Sequence, residues 1–130
     1  MIEIETNQNI KLEVVEDLLI SLEEKGFTYL HCEYVTSQSG MSVNICRTSY
    51  LIVGGIKYYL IHSINIPNSP QRFYLKNRGE RIKFTLIFPM LPKGCEVFDF
   101  IEESKDQFSF SKKNIKRNSI GIYNVNVALS

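Results

Sequence analysis

Tryptophan is absent from this chain, histidine occurs twice and cysteine three times, and the charges nearly cancel. Fifteen Lys and Arg against fourteen Asp and Glu leave a formal net charge of +1. Each scarcity excludes something. A near-neutral chain has no global attraction for nucleic acid or for an anionic membrane. Cys32, Cys46 and Cys95 are few and odd in number, whereas a disulfide framework uses an even set in a shorter chain, so reduced, buried thiols are expected. Two histidines and three scattered cysteines supply no pair at metal-ligand spacing, so neither a metal nor a cofactor is expected. No apolar stretch approaches the roughly 20 residues needed to span a bilayer, and no membrane insertion is expected. Met1-Ile2-Glu3-Ile4-Glu5 lacks the basic start and apolar run of a signal peptide. As written, the chain reads as soluble and cytoplasmic, with a secreted or envelope location if a leader has been removed.

What is present is a core. A chain of 130 residues, 44% hydrophobic and 12% aromatic, fits one domain and can bury about two-thirds of its unfolded surface. Residues 82–102 carry the clearest pattern. Ile82, Phe84, Leu86 and Phe88 recur at every second position, which a pleated strand places on one face and a helix cannot. A Pro/Gly turn, Pro89 to Gly94, separates them from Val97-Phe98-Asp99-Phe100-Ile101. Phe27 to Val35 reads as a strand rich in aromatic and β-branched residues. Short strands follow at Met41 to Ile45 and from Thr48 to Val53. Gly54-Gly55 between LIV and IKYYLI predicts a tight hairpin, whose central residues both need positive φ. Ile64 to Pro70 reads as a connection, because its two prolines lack the N–H of a central strand. Asn77-Arg78-Gly79-Glu80 reads as the turn of a second hairpin joining Arg72–Lys76 to Arg81–Phe88. Phe108 and Phe110 alternate in a brief strand. Ile120 to Leu129 closes the chain, with Tyr123, Val125, Val127 and Leu129 on one face and Asn124 and Asn126 on the other.

The N-terminal arm, residues 1–26, supports two patterns. Ile10 to Val14 alternates like a strand, whereas Leu12, Val15, Leu19 and Leu22 also fall at helical spacing. Strands are favoured there, with one short helix as the alternative. Eight or nine short strands with turn signals every 8–12 residues predict an all-β fold, a two-sheet antiparallel β-sandwich. The order from Phe27 to Glu102 resembles an uncharacterised immunoglobulin-like β-sandwich domain of Bacteroidetes-type bacteria. Such domains occur alone or attached to envelope and secreted proteins. The resemblance rests on Phe84-Thr85-Leu86-Ile87-Phe88-Pro89, Leu91-Pro92 and Asp99-Phe100-Ile101-Glu102. It implies a Greek-key sandwich without catalytic residues, and the chain departs from the family pattern in lacking a leader or lipid-attachment cysteine near Met1.

Catalytic constellations are thin. Asp99 and Glu102 are a close carboxylate pair in an apolar run, but three positions apart on a strand they point to opposite faces. They are expected to accept backbone N–H groups where the chain leaves the sheet, or to stand in solvent, rather than to act as general acid and base. His31 and Cys32 are strand neighbours and project oppositely, so the first cannot activate the second. A small hydrolase using His62 with a cysteine or with Asp99 is the enzyme alternative. Lys112, Lys113, Lys116 and Arg117 form a basic cluster, set against seven acidic groups in residues 1–24. No aromatics interleave those cations to stack bases, which argues against nucleic acid. The cluster is expected in a solvated loop, or in one facing the acidic N-terminal arm. A sugar-binding reading suffers from the lack of tryptophan.

Tyrosine is the stronger signal. Tyr29, Tyr34, Tyr50, Tyr58, Tyr59, Phe73, Tyr74 and Tyr123 exceed what one face of a small core can use. One of Tyr58 and Tyr59, and one of Phe73 and Tyr74, is expected to be exposed. Exposed tyrosine is a favoured contact residue. The chain is thus expected to be a non-catalytic module that binds a protein partner, or a second copy as a homo-oligomer, through a tyrosine-rich sheet face or edge.

Overall fold

A computed structural model describes residues 26–103 and 109–129. In it the alternation at residues 82–88 becomes an eight-residue strand whose inner face, Ile82, Phe84, Leu86 and Phe88, is at most 7% exposed. Eleven strands are formed by these residues: β1 (Thr28–Val35), β2 (Met41–Val43), β3 (Tyr50–Val53), β4 (Ile56–Tyr59), β5 (His62–Ile64), β6 (Phe73–Leu75), β7 (Arg81–Phe88), β8 (Val97–Ile101), β9 (Phe110–Lys116), β10 (Ile122–Asn126) and β11 (Ala128–Leu129). No helix occurs among the described residues, and so none is long and apolar enough to cross a membrane. The N-terminal arm through residue 25, and Phe108, lie outside the described residues.

The strands form a sheet ordered β10-β1-β7-β5, a second ordered β11-β9-β8-β3-β4, and a two-stranded ribbon of β2 and β6. Phenylalanine and tyrosine rings join the two large sheets. Phe88 meets Phe100 at 6.1 Å between centroids, Phe84 meets Phe110 at 5.4 Å, Tyr34 meets Phe110 at 5.3 Å and Tyr123 meets Phe98 at 5.0 Å. Such pairs add about 0.5–1.5 kcal/mol each beyond the area they bury. The result is the expected β-sandwich.

Four local expectations are corrected by pairing. The longest apolar stretch after Gly55 does not stay in one strand. The N–H of Leu60 donates to Ser49 O and that of Ile61 to Ile87 O, both at 2.8 Å. The chain therefore crosses from the second sheet to the first between these two residues, and β5 takes Ile64 out of the expected connection. Residues 120–129 split likewise. β10 runs beside β1, Val127 N donates to Glu33 O, and β11 then pairs with β9. The β1–β10 pairing is parallel, so the first sheet is mixed rather than antiparallel.

The third correction concerns Asn77–Glu80. It links β6 to β7, but no hairpin forms, because β6 pairs with β2 and β7 with β1 and β5. Thr36 at the end of β1 takes over the turn. Its N–H donates to Glu80 O, its O accepts from Gly79 N, and its hydroxyl donates to Asn77 O. The fourth is the basic cluster, which is strand and not loop, as the next section details. The Gly54-Gly55 hairpin is formed as expected, with φ of 54° and 81°. No disulfide joins Cys32, Cys46 and Cys95; the first is buried and the others half-buried.

Candidate functional site

The eight aromatic side chains separate sharply. Tyr29, Tyr34, Tyr50 and Tyr123 are at most 6% exposed, and Tyr58 packs half-buried against the core. Tyr59, Phe73 and Tyr74 are 51%, 48% and 71% exposed. Tyr58 and Tyr59 divide as a strand in a stacked sheet must. Phe73 and Tyr74 do not, and both stand in solvent. Among the described residues β6 pairs with β2 alone, and this ribbon buries Val43 and Leu75 while leaving Phe73 and Tyr74 in solvent. The two aromatic pairs sit in different sheets, and no ring contact links them among the described residues.

Around Tyr59 the surface is organised. Its ring meets Tyr50 edge-on at 5.8 Å, Lys57 Nζ lies 4.6 Å from the Tyr50 centroid, and Tyr50 donates its hydroxyl proton to Glu103 Oε1 at 2.9 Å. Lys57 is also 3.5 Å from that carboxylate oxygen. Among the described residues β4 is the last strand of its sheet, so this cluster lies beside a backbone edge that no other described strand pairs with. Ile56 is 59% exposed and Ile61, just past the strand, 52%.

The residues weighed for catalysis do not converge. His62 is opposite Ile87 and Cys32 opposite Phe84 in the first sheet. Ile87 and Phe84 are three apart on β7 and project to opposite faces. Cys32 points into the core, where burial pushes its thiol far above the usual range and leaves the sulfur against Leu30 O. Asp99 stands on the outer face of the other sheet, between the inward-facing Phe98 and Phe100. Among the described residues no cluster of three or more His, Cys, Asp and Glu is placed to hold a metal ion.

Both carboxylates bind backbone N–H groups, Asp99 from the middle of β8 and Glu102 just past its end. Asp99 Oδ1 accepts from Asn114 N at 2.8 Å. Asn114 has a left-handed φ of 56° within an irregularity of the β8–β9 register. Such a bulge sets two residues against one and re-aims the side chains around it. Glu102 is 4% exposed and accepts from Cys46 N and Phe110 N, each at 2.8 Å. Burial pushes its carboxyl upward, and the two N–H groups pull the other way.

The basic cluster lies on β9 and just beyond. Lys112, Lys113 and Lys116 are exposed. Arg117 is not part of their surface, because its Nη1 donates to Pro92 O and contacts Cys95 Sγ, both at 2.8 Å. Two shallow grooves flank β10. One, of about 480 Å³, runs between β10 and β9 and is lined by Lys112, Lys116, Asn114 and Asn118 with the whole of β10. The other, of about 350 Å³, lies on the outer face of the first sheet around His31, Glu33, Lys83, Thr85 and the same Asn124 and Asn126. The sequence places these two asparagines outward. That they stand at a free sheet edge depends on the parallel pairing of β10 with β1, which alternation alone does not specify.

The charged groups and the imidazole of the second groove have partners. Glu33 pairs with Arg81 at 3.0 Å and Lys83 at 3.7 Å. His31 Nδ1 is 2.8 Å from Thr85 Oγ1, and burial holds the imidazole below its ordinary pKa of 6.5. A histidine depressed on folding binds fewer protons than in the unfolded chain. Its contribution is therefore complete above its ordinary pKa and is lost as pH falls toward the folded value. Urea midpoints at about pH 7.5 and pH 5.5 check this: the native protein is expected to lose more stability than His31→Gln over that interval. Equal losses would refute it.

Comparison with protein-family models, with curated proteins and with solved structures finds no match to this chain.

Proposed function

We propose that this chain is a non-catalytic, immunoglobulin-like β-sandwich module that binds another polypeptide, or a second copy of itself, through the free edge of β4. One observation carries the reading: an edge strand that leaves Ile56, Tyr59 and the adjoining Ile61 each more than half exposed. Edge strands offer unpaired N–H and C=O groups and are ordinarily protected by charge, proline or a cover. Here Lys57 is the one charged side chain on the strand, and Glu103 lies against it. An amphipathic tyrosine beside two isoleucines suits the centre of a protein contact, with main-chain hydrogen bonds supplying register. The separation of His62, Cys32 and Asp99 supports the non-catalytic part.

Ile56→Lys and Tyr59→Lys test it. Both residues are surface-exposed, so the circular dichroism spectrum is expected to stay unchanged. Sedimentation velocity resolves a second copy, and quantitative mass spectrometry of crosslinks made through Lys57 identifies another polypeptide. Loss of the complex in both variants is the expected result. A native protein that stays monomeric and forms no crosslink at Lys57, or a complex that survives both substitutions, refutes the reading.

A further inference from the structure

All five residues of β10, Ile122 to Asn126, border the groove opposite β9 in unbroken succession. Successive side chains of a strand leave opposite faces, so such a run lines a groove only when the strand is met edge-on. Among the described residues β10 pairs with β1 alone, which leaves its other edge free of them. Across the gap, β9 pairs with β11 only at Phe110 and Ser111, so among the described residues its Lys112–Lys116 portion also presents an unpaired edge. The slot is tied at both ends. β11 rejoins β9 at one of them. At the other, the Asn118 carboxamide accepts from Ile120 N and Gly121 N and donates to Ile122 O.

Four of the side chains lining this slot are uncommitted among the described residues. Lys112 and Lys116 make no ion pair or hydrogen bond with their ammonium groups among the described residues, and the carboxamides of Asn124 and Asn126 make none either. Two ammonium groups without a counter-ion among the described residues select an anion. Free strand edges select an extended backbone, because hydrogen bonds to the main chain are what such an edge can form. No exposed ring lines the slot, and Tyr123 is only 5% exposed; a stacking platform for bases is missing.

We propose that the slot between β9 and β10 binds a short acidic peptide in extended form, which adds as a strand to β10 and sets its carboxylates against Lys112 and Lys116. Five residues of β10 at about 3.4 Å each give a contact of roughly 17 Å. This site is separate from the β4 edge and goes beyond the function proposed above.

The test uses the whole chain and a fluorescein-labelled peptide of about seven alternating Glu and Thr residues, long enough to cover that edge, titrated at low salt by fluorescence anisotropy. The expected result is binding that weakens about tenfold or more in the double variant Lys112→Glu/Lys116→Glu, as two favourable charge contacts become repulsive. A peptide alternating Glu with Pro keeps the charge but loses backbone donors, and it is expected to bind weakly. If the double reversal unfolds, Lys112→Gln/Lys116→Gln replaces it and is still expected to weaken binding. Ile56→Lys is expected to bind the peptide like the native chain, which separates this site from the β4 edge. Absence of binding, equal affinity in the lysine variants, or equal affinity of the Glu/Pro peptide overturns the proposal. A sulfated polysaccharide bound as tightly as the Glu/Thr peptide overturns it as well, since charge alone then suffices.

Discussion

Glu102→Ala is expected to lower the unfolding free energy by roughly 3 kcal/mol or more, although the residue touches neither proposed surface. Its carboxylate is the acceptor for two main-chain donors, Cys46 N before β3 and Phe110 N at the start of β9. Alanine removes both acceptors from a site that is 4% exposed. Each buried donor left without a partner costs about 1–3 kcal/mol. The chain also accepts at the main chain here, since Glu102 N donates to Phe110 O at 3.0 Å. Glutamine is not a rescue: its carbonyl serves one N–H while its NH2 group confronts the other. Both variants are expected to shift the urea midpoint downward without changing the slope. Glu102→Ala should melt roughly 10 °C lower. A loss below about 1 kcal/mol would mean that water replaces the carboxylate at little cost, contrary to the usual penalty for a buried orphaned donor.

The second large effect is expected at Phe110. The ring is fully buried and meets Tyr34 and Phe84, both from the first sheet, while its own strand belongs to the second. Phe110→Ala therefore removes packing between layers and leaves a cavity that rigid sheets cannot close. The expected cost is about 3–5 kcal/mol. Phe110→Leu should retain most of that stability, and Phe73→Ala, in the exposed ribbon, should change it by about 0.5 kcal/mol or less. Together the three variants separate interlayer packing from general loss of an aromatic. If Phe110→Ala costs no more than Phe73→Ala, the two sheets do not share the interior described here.

Much of the architecture is legible in the order of residues, because side-chain alternation is a local property of an extended backbone. Ile82, Phe84, Leu86 and Phe88 reveal their strand and its inward face without reference to any partner. Tyr123, Val125 and Val127 do the same near the end of the chain, and Gly54-Gly55 reveals a hairpin through the φ values that only glycine adopts freely. For Asp99 and Glu102 the residue order leaves two readings, acceptors of backbone N–H groups or carboxylates in solvent, and only the bulge at Asn114 and the contacts of Cys46 N and Phe110 N decide between them. The surfaces are less legible. Phe73 and Tyr74 read as one buried and one exposed residue, an inference that holds only if β6 lies in a stacked sheet.

Alternating polarity by itself determined that this chain builds strands with one dry face, and hence two layers around a shared interior. Which strands become neighbours was decided only in the tertiary structure. The chain changes sheets at Leu60–Ile61 and at Val127, the turn after β6 is captured by Thr36, and β10 settles parallel to β1. The physical reason is that period-two burial is satisfied equally by any partner presenting a matching apolar face, whereas pairing depends on backbone hydrogen bonds between segments far apart in the chain. The free edges of β4 and β10, on which both proposed contacts depend, are products of that choice.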